Sequence, residues 1–446
     1  MSDSISEAST LFAEAPMLPD SKRLSLRSNA SWTLLGNLIY MTCQWGMLVI
    51  VAKFGSPELV GTFALALAIS APAFMFSNLN LRVIQATDVA EEYSFSDYMA
   101  LRLISTLLAL AVIVALSVSS SYSFETALVV LLIGLAKAFE SVSDVIYGLV
   151  QRHERMDFIS RSMILKGGAS IVAFGGIFAL TGSLGGAVAG LACAWCVVLG
   201  TYDLALARTF GWNVTSLGRL RISPRRTLRS LLLLTRTALP LGLTMMLISL
   251  NTNIPRYFIE HYAGTRALGF FAAIAYLMVA GNLVINALAQ TALPRLAVYY
   301  SEARLRDFRA LLLRLTGLAG VVGVVSVLVA QLAGKQVLSI MYRADYAGYS
   351  AVFTCLMAAA GVGYLASIIG CGMGAAHLFN PLLPLNLIAV AVCALASRLW
   401  IPAHGLQGAA WALLAAGSVQ FVASLVVLLR ALRSAQEPTG YPVALD

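Results

Sequence analysis

The run Leu311-Leu-Leu-Arg-Leu-Thr-Gly-Leu-Ala-Gly-Val-Val-Gly-Val-Val-Ser-Val-Leu-Val-Ala-Gln-Leu332 carries a single charge, Arg314, and none beyond it. Wound as a helix it is apolar on every side, and it lacks the alternation of a barrel strand. About 20 such residues, rising 1.5 Å each, cross the ~30 Å hydrocarbon core of a bilayer. Eleven further runs are long enough to cross. In the first half they cover 32–51, 60–81, 98–118, 124–149, 160–180 and 184–205. In the second they cover 233–254, 267–293, 349–370, 381–399 and 406–428. Composition agrees: 59% of the 446 residues are hydrophobic and 11% charged, too few charges to coat a soluble protein of this length. The expected fold is an all-α integral membrane protein of about twelve transmembrane helices.

The positions of Lys and Arg set the expected orientation. With the N-terminus inside, 23 of the 30 basic residues fall at inner connections and 6 at outer ones, with Lys137 in neither set. Both termini are therefore expected in the cytoplasm. The chain divides into a tail (1–30), an N-lobe (31–207), a basic linker (208–232), a C-lobe (233–430) and a second tail (431–446). The first thirty residues are polar and end in no small-residue cleavage site, so no cleaved signal is expected. The net charge of +9 reads as a topology signal reinforced by anionic membrane lipids. No aromatic platform accompanies the arginines, so no nucleic acid is expected.

The two halves echo each other. Gly55-Ser-Pro-Glu-Leu-Val-Gly61-Thr-Phe63-Ala64 matches Ala263-Gly-Thr-Arg-Ala-Leu-Gly269-Phe-Phe271-Ala272 at an offset of 208, which also lays Asn78 on Asn286. Leu184-Gly-Gly186-Ala187 matches Leu406-Gln-Gly408-Ala409 at an offset of 222. Six helices per half is an even number, so the halves point the same way. Two six-helix lobes related by a pseudo-twofold axis along the membrane normal follow, an arrangement transporters use.

Polar groups inside these runs are candidate site residues. Lys137, Glu140 and Asp144 share one face of the fourth helix at i, i+3 and i+7. A lone charge at mid-bilayer is expensive, so that face should look inward. The face is either a structural ion-pair cluster or a coupled site, with Glu140 the ion-coupling candidate. Asp144 and Lys166 lie equally far from the centre of the turn between the fourth and fifth helices. They are expected to pair across that hairpin. Asn282, Asn286 and Gln290 form a stripe on the eighth helix, while Asn251, Asn253 and Arg256 crowd the end of the seventh. Helix two ends in Asn78, Asn80, Arg82 and Gln85. These groups concentrate in helices one, two, seven and eight, which face each other in a two-lobe transporter, and they are read as cavity lining.

Other features read as structural. The six cysteines lie in apolar runs, and Cys193-x-x-Cys196 has no second pair or nearby histidine. No histidines have metal-ligand spacing, and no phosphate-binding loop or nucleophile elbow is present. Neither metal nor cofactor is expected. Gly167-Gly168 and Gly175-Gly176 are read as close helix contacts.

The stretch Lys137-Ala-Phe-Glu140-Ser-Val-Ser-Asp144-Val-Ile-Tyr-Gly148-Leu-Val-Gln151-Arg-His-Glu154-Arg-Met156-Asp157, followed by Lys166-Gly167, resembles the Wzx-type polysaccharide flippases. So do Ile254-Pro255-Arg256-Tyr257-Phe258-Ile259-Glu260 and Gln290-x-x-x-Pro294-Arg295-Leu296. These flippases belong to the multidrug/oligosaccharidyl-lipid/polysaccharide (MOP) exporter superfamily. The likeness spans roughly residues 25–430. It implies two six-helix lobes around a cationic cavity in a bacterial inner membrane. It also implies translocation of an undecaprenyl-pyrophosphate-linked oligosaccharide from the cytoplasmic to the periplasmic leaflet for capsule, exopolysaccharide or O-antigen synthesis. Arg82, Lys137 and Arg256 become the candidate cationic lumen residues, and a polysaccharide polymerase and glycosyltransferases the expected pathway partners. Such a protein makes and breaks no bond.

Three alternatives compete. Multidrug exporters of the superfamily usually place an acid within helix one or deep in helix seven. Here helix one has no carboxylate and Glu260 lies at the outer end of helix seven. Peptidoglycan-precursor flippases generally have fourteen helices. Membrane polysaccharide polymerases or ligases carry a large periplasmic loop, whereas every outer connection here is short.

Overall fold

The computed structural model describes residues 24–88, 91–120, 122–212 and 224–434. Residues 1–23 and 435–446 of the expected tails and 213–223 of the basic linker lie outside these residues. Everything described is helix or short turn, without a strand. Among the described residues, nine helical segments are long and apolar enough to cross a membrane. Two of them, Leu228–Ser301 and Leu382–Arg433, contain a glycine with positive φ, Gly264 (80°) and Gly405 (55°). Only glycine takes that left-handed conformation without strain, and each divides a segment into two antiparallel helices. The helix Phe124–Arg152, with Lys137, Glu140 and Asp144 inside it, completes twelve.

In chain order these are α1 (Leu26–Phe54), α2 (Pro57–Ser77, continued by Leu81–Thr87), α3 (Phe95–Ser119), α4 (Phe124–Arg152) and α5 (Met156–Thr181). Helix α6 has three parts: Leu184–Val198, a π-helical turn Leu199–Asp203, and Leu204–Thr209. The second half holds α7 (224–263), α8 (265–276 and Met278–Ser301), α9 (Leu305–Met341), α10 (Ser350–Ala375), α11 (382–404) and α12 (406–434). Small side chains start the N-lobe helices: Ser56 caps α2, with Pro57 at its first turn, and Ser94 and Asp97 form a reciprocal capping box on α3. Each satisfies amide groups that the first turn leaves unpaired. Helix α7 begins at 224, so residues 224–232 of the expected linker are helical. It also runs past the expected limit of 254, which puts Arg256 inside the helix rather than at its end.

The outer surface is apolar, with Leu180 87% and Leu332 79% exposed, as lipid-facing side chains should be. The helix pairings of one half recur in the other. Helices α1 and α5 meet at Gly36 and Ser160, and α7 and α11 where Cys393 Sγ–H donates to the Asn251 carbonyl. Helices α3 and α4 meet at Ile113 and Gly134, and α9 and α10 at Gly323 and Gly361. The second sequence echo holds as well: Gly186 lies against Ile177 of α5, and Gly408 against Trp400 of α11. Of the two glycine pairs expected at close contacts, Gly167 sits against Cys43 and Gly175 against Ile50. Gly168 and Gly176 face open space; the helix turns their positions to the surface, so half of each pair does no packing.

The lobes meet mainly along α2, α7 and α8. At the end carrying the α1–α2 and α7–α8 turns, Glu58 pairs with Arg266 at 3.0 Å and Trp45 Nε1 donates to Tyr342 Oη at 3.2 Å. There too Arg343 donates to the Gly55 carbonyl at 3.2 Å. Deeper, the Tyr257 hydroxyl donates to the Ala68 carbonyl. These contacts close the seam between the lobes at that end.

Candidate functional site

Toward the opposite end, the N-lobe encloses a polar cavity of about 250 Å³. A break in α2 builds one wall. Leu79 and Asn80 both adopt φ of 50°, unusual for side chains bearing a Cβ, and the chain restarts as the continuation of α2. Gly148 lets that continuation press onto α4, since a Cβ there would come within 3.3 Å of the Arg82 Cα. Arg82 thereby reaches α4: its Nε donates to Gln151 Oε1 at 2.9 Å, its guanidinium lies 3.7 Å from Asp144, and it stands over the Tyr147 ring.

Asn78, Arg82, Lys137, Glu140, Asp144 and Lys166 all line this one cavity. Lys137 donates to Glu140 at 2.7 Å and stacks over the buried Trp195 ring of α6; Glu140 also accepts from the Tyr40 hydroxyl at 2.5 Å. The expected Asp144–Lys166 pair does not form. Asp144 instead accepts from Arg102 of α3 at 2.9 Å, and Lys166 pairs with Asp203 of α6 at 2.9 Å. The two helices of the α4–α5 hairpin touch little, because α6 packs along both and occupies the space between them. Equal depth in the hairpin was therefore a poor guide to contact.

Arg102 and Asp203 are fully buried, and neither was read as a site residue. Arg102 lies two turns inside α3, donating to Asn78 Oδ1 and to Ser141 Oγ. Asp203 did leave a signal, as a single carboxylate inside the apolar run 184–205. Its oxygens accept from Ser143 Oγ at 2.6 Å and Ser162 Oγ at 2.5 Å as well as from Lys166. The π-helical turn that ends at Asp203 is of a kind that marks functional positions in helices.

The network holds four cations, Arg82, Arg102, Lys137 and Lys166, against three carboxylates, Glu140, Asp144 and Asp203. One positive charge is thus left in excess. Arg82 carries it most openly, since Asp144 sits closer to Arg102. Such an arrangement attracts an anion and offers donors and acceptors to hydroxyl groups.

The C-lobe candidates lie elsewhere, and none lines this cavity. Asn282 donates back to the Met278 carbonyl, and Asn286 and Gln290 are exposed. Asn251 keeps a buried, unbonded Oδ1; Arg256 donates to Asn253 at 3.1 Å and leaves its Nε unbonded. Cys193 and Cys196 are exposed free thiols. Among the described residues no cluster of His, Cys, Asp and Glu could hold a metal ion.

A twelve-helix, two-lobed architecture with a charged cavity in one lobe defines a multi-pass membrane protein of transporter fold. It is similar over 95% of its length to an inward-facing multidrug resistance MATE family transporter of the MOP superfamily (TM-score 0.62, 15% identity, 98% of that chain covered). A MOP superfamily transporter from Pyrococcus furiosus is similar over 92% (TM-score 0.60, 16% identity, 95% of that chain). The chain belongs to the polysaccharide biosynthesis protein family, whose model matches residues 26–299. The capsular polysaccharide biosynthesis protein CapF of Staphylococcus aureus is 26% identical over 387 residues, 86% of this chain and 94% of that protein.

Proposed function

We propose that the protein flips an undecaprenyl-pyrophosphate-linked oligosaccharide from the cytoplasmic to the periplasmic leaflet of a bacterial inner membrane by alternating access. The observation that carries this reading is the N-lobe cavity with its surplus cation at Arg82, lying away from the sealed end of the lobes. With both termini in the cytoplasm, the cavity faces the side where lipid-linked sugars are assembled. Arg82 and Lys137 then meet the anionic headgroup, while Asn78 and the ion pairs hydrogen-bond sugar hydroxyls. Arg256 and the polar groups Asn251, Asn282, Asn286 and Gln290 serve the path as the lobes rock apart at their sealed end. The polymerase and glycosyltransferases of the pathway are its functional partners.

In cells that depend on the protein, Arg82→Ala should stop surface glycan and trap the lipid-linked oligosaccharide in the cytoplasmic leaflet. Normal glycan with normal amounts of the variant protein would remove this cavity from the transport path.

A further inference from the structure

Lys166 stands between the cavity, which it lines, and Asp203, which the cavity does not reach. Its ammonium donates to the Tyr147 hydroxyl at 3.1 Å as well as to Asp203. The Tyr147 and Ser162 hydroxyls are 2.7 Å apart. Because Ser162 spends its hydrogen on Asp203, the Tyr147 hydrogen points to Ser162. The donors therefore form a closed circuit, Lys166 to Tyr147 to Ser162 to Asp203, with Lys166 also bonded directly to Asp203. Tyr147 lines the cavity, so a line of hydroxyls leads from the cavity to a carboxylate that is 0% exposed.

From this geometry we infer that Asp203 is a proton-binding site linked to anion occupancy of the cavity through Lys166. An anion entering beside Lys166 competes for its ammonium. When the Lys166–Asp203 contact breaks, Asp203 keeps only two neutral donors, Ser143 and Ser162. A buried carboxylate without a counter-charge takes up a proton rather than remain ionised. The proton balance is simple: a proton from the aqueous phase, relayed by cavity water that ends neutral, is taken by the Tyr147 oxygen, the Tyr147 hydrogen passes to Ser162, and the Ser162 hydrogen passes to Asp203. One anion and one proton enter together, and both leave when Lys166 returns.

The other charged or titratable groups around Lys166 in the cavity are Tyr40 on α1, Arg82 on α2, and Lys137, Glu140, Asp144 and Tyr147 on α4, with Tyr202 on α6 near Asp203. Lys137 and Glu140 are paired with each other, and Asp144 with Arg102. None of them replaces Lys166 as the counter-charge of Asp203.

This inference rests on the anion reading of the cavity. Its test is calorimetry of inorganic pyrophosphate binding to the full chain in detergent, in buffers of different ionisation enthalpy, which counts protons taken up per anion bound. The ligand's own titration is common to all proteins compared. The wild type should take up about one proton more than Asp203→Asn, with affinity tightening up to ~tenfold further per unit fall in pH. Should the single variant not fold, Lys166→Met/Asp203→Asn removes both charges together and supplies the comparison. In the wild type, pyrophosphate should also raise an infrared band of a protonated carboxyl. Binding with equal proton counts in all proteins, or without that band, overturns the linkage alone. No binding to the wild type overturns it together with the anion reading.

Discussion

Gly61 of α2 and Gly269 of α8 lie face to face across the seam between the lobes. A Cβ on Gly61 would strike the carbonyl of Thr265, and one on Gly269 would strike the carbonyl of Pro57. Both pairs, 61 with 269 and 57 with 265, are separated by the 208 residues of the internal repeat. Each half thus meets its own counterpart, as a twofold axis between the lobes requires.

Replacing either glycine by leucine should force the two helices apart. Overpacking of this kind costs about 1–3 kcal/mol, and the cost falls on the sealed conformation. A cysteine placed at Ala272, buried in the wild type, should become reactive to a maleimide in a background without the native cysteines. Gly168→Leu and Gly176→Leu, at positions facing open space, should leave it protected. Protection unchanged in Gly61→Leu would mean that the seam is held elsewhere.

Glu58 and Arg266 obey the same offset and bridge the lobes at 3.0 Å, but both are substantially exposed. Their coupling in a double-mutant cycle should be below ~1 kcal/mol, as for exposed ion pairs generally. The swap Glu58→Arg/Arg266→Glu should recover what either single reversal loses in thermal stability. A coupling several times larger would show that this contact, rather than the glycine packing, holds the end shut.

The ion pairs of the N-lobe should sort by partner. Arg102→Met leaves Asp144 with only Arg82 at 3.7 Å, and Lys166→Met leaves Asp203 buried with no counter-charge. Breaking a buried pair from one side costs about 3–5 kcal/mol, whereas removing both partners is far milder. Folded yield by fluorescence-detected size exclusion should recover in Arg102→Met/Asp144→Asn and in Lys166→Met/Asp203→Asn. It should not recover in Lys166→Met/Asp144→Asn.

Orientation has its own check. A reporter fused after Arg226 should report the cytoplasm, and one inserted near Gly264 the periplasm. Both on one side would contradict the twelve-helix topology.

Much of this architecture was legible from the chain. Hydropathy located all twelve spans, including α4 with its three charges at 137, 140 and 144, and the offset of 208 aligned Gly61 with Gly269, which meet across the seam. Helical periodicity put Lys137, Glu140 and Asp144 on one face, where all three line the cavity. Partner choice was not legible, because it depends on how helices distant in sequence pack. Nothing local says that α6 separates α4 from α5, so Lys166 was assigned to Asp144 when Asp203 lies beside it. Nor does the spacing of Asn282, Asn286 and Gln290 tell a cavity from an exposed face; regular spacing fixes a side of a helix, not what that side meets.

The central claim is that the N-lobe cavity carries an anionic lipid-linked saccharide across the bilayer. Purified protein in liposomes, with a fluorescent undecaprenyl-pyrophosphate-linked oligosaccharide and a membrane-impermeant quencher, measures this directly. The wild type should make the inner-leaflet pool accessible to the quencher far faster than empty liposomes do. A lost charge-assisted hydrogen bond is worth about 1.5–3 kcal/mol, so Arg82→Ala and Lys137→Ala, equally incorporated, should each slow flipping by ~10–100-fold. Wild-type rates in both variants, or no flipping by the wild type itself, would contradict the account.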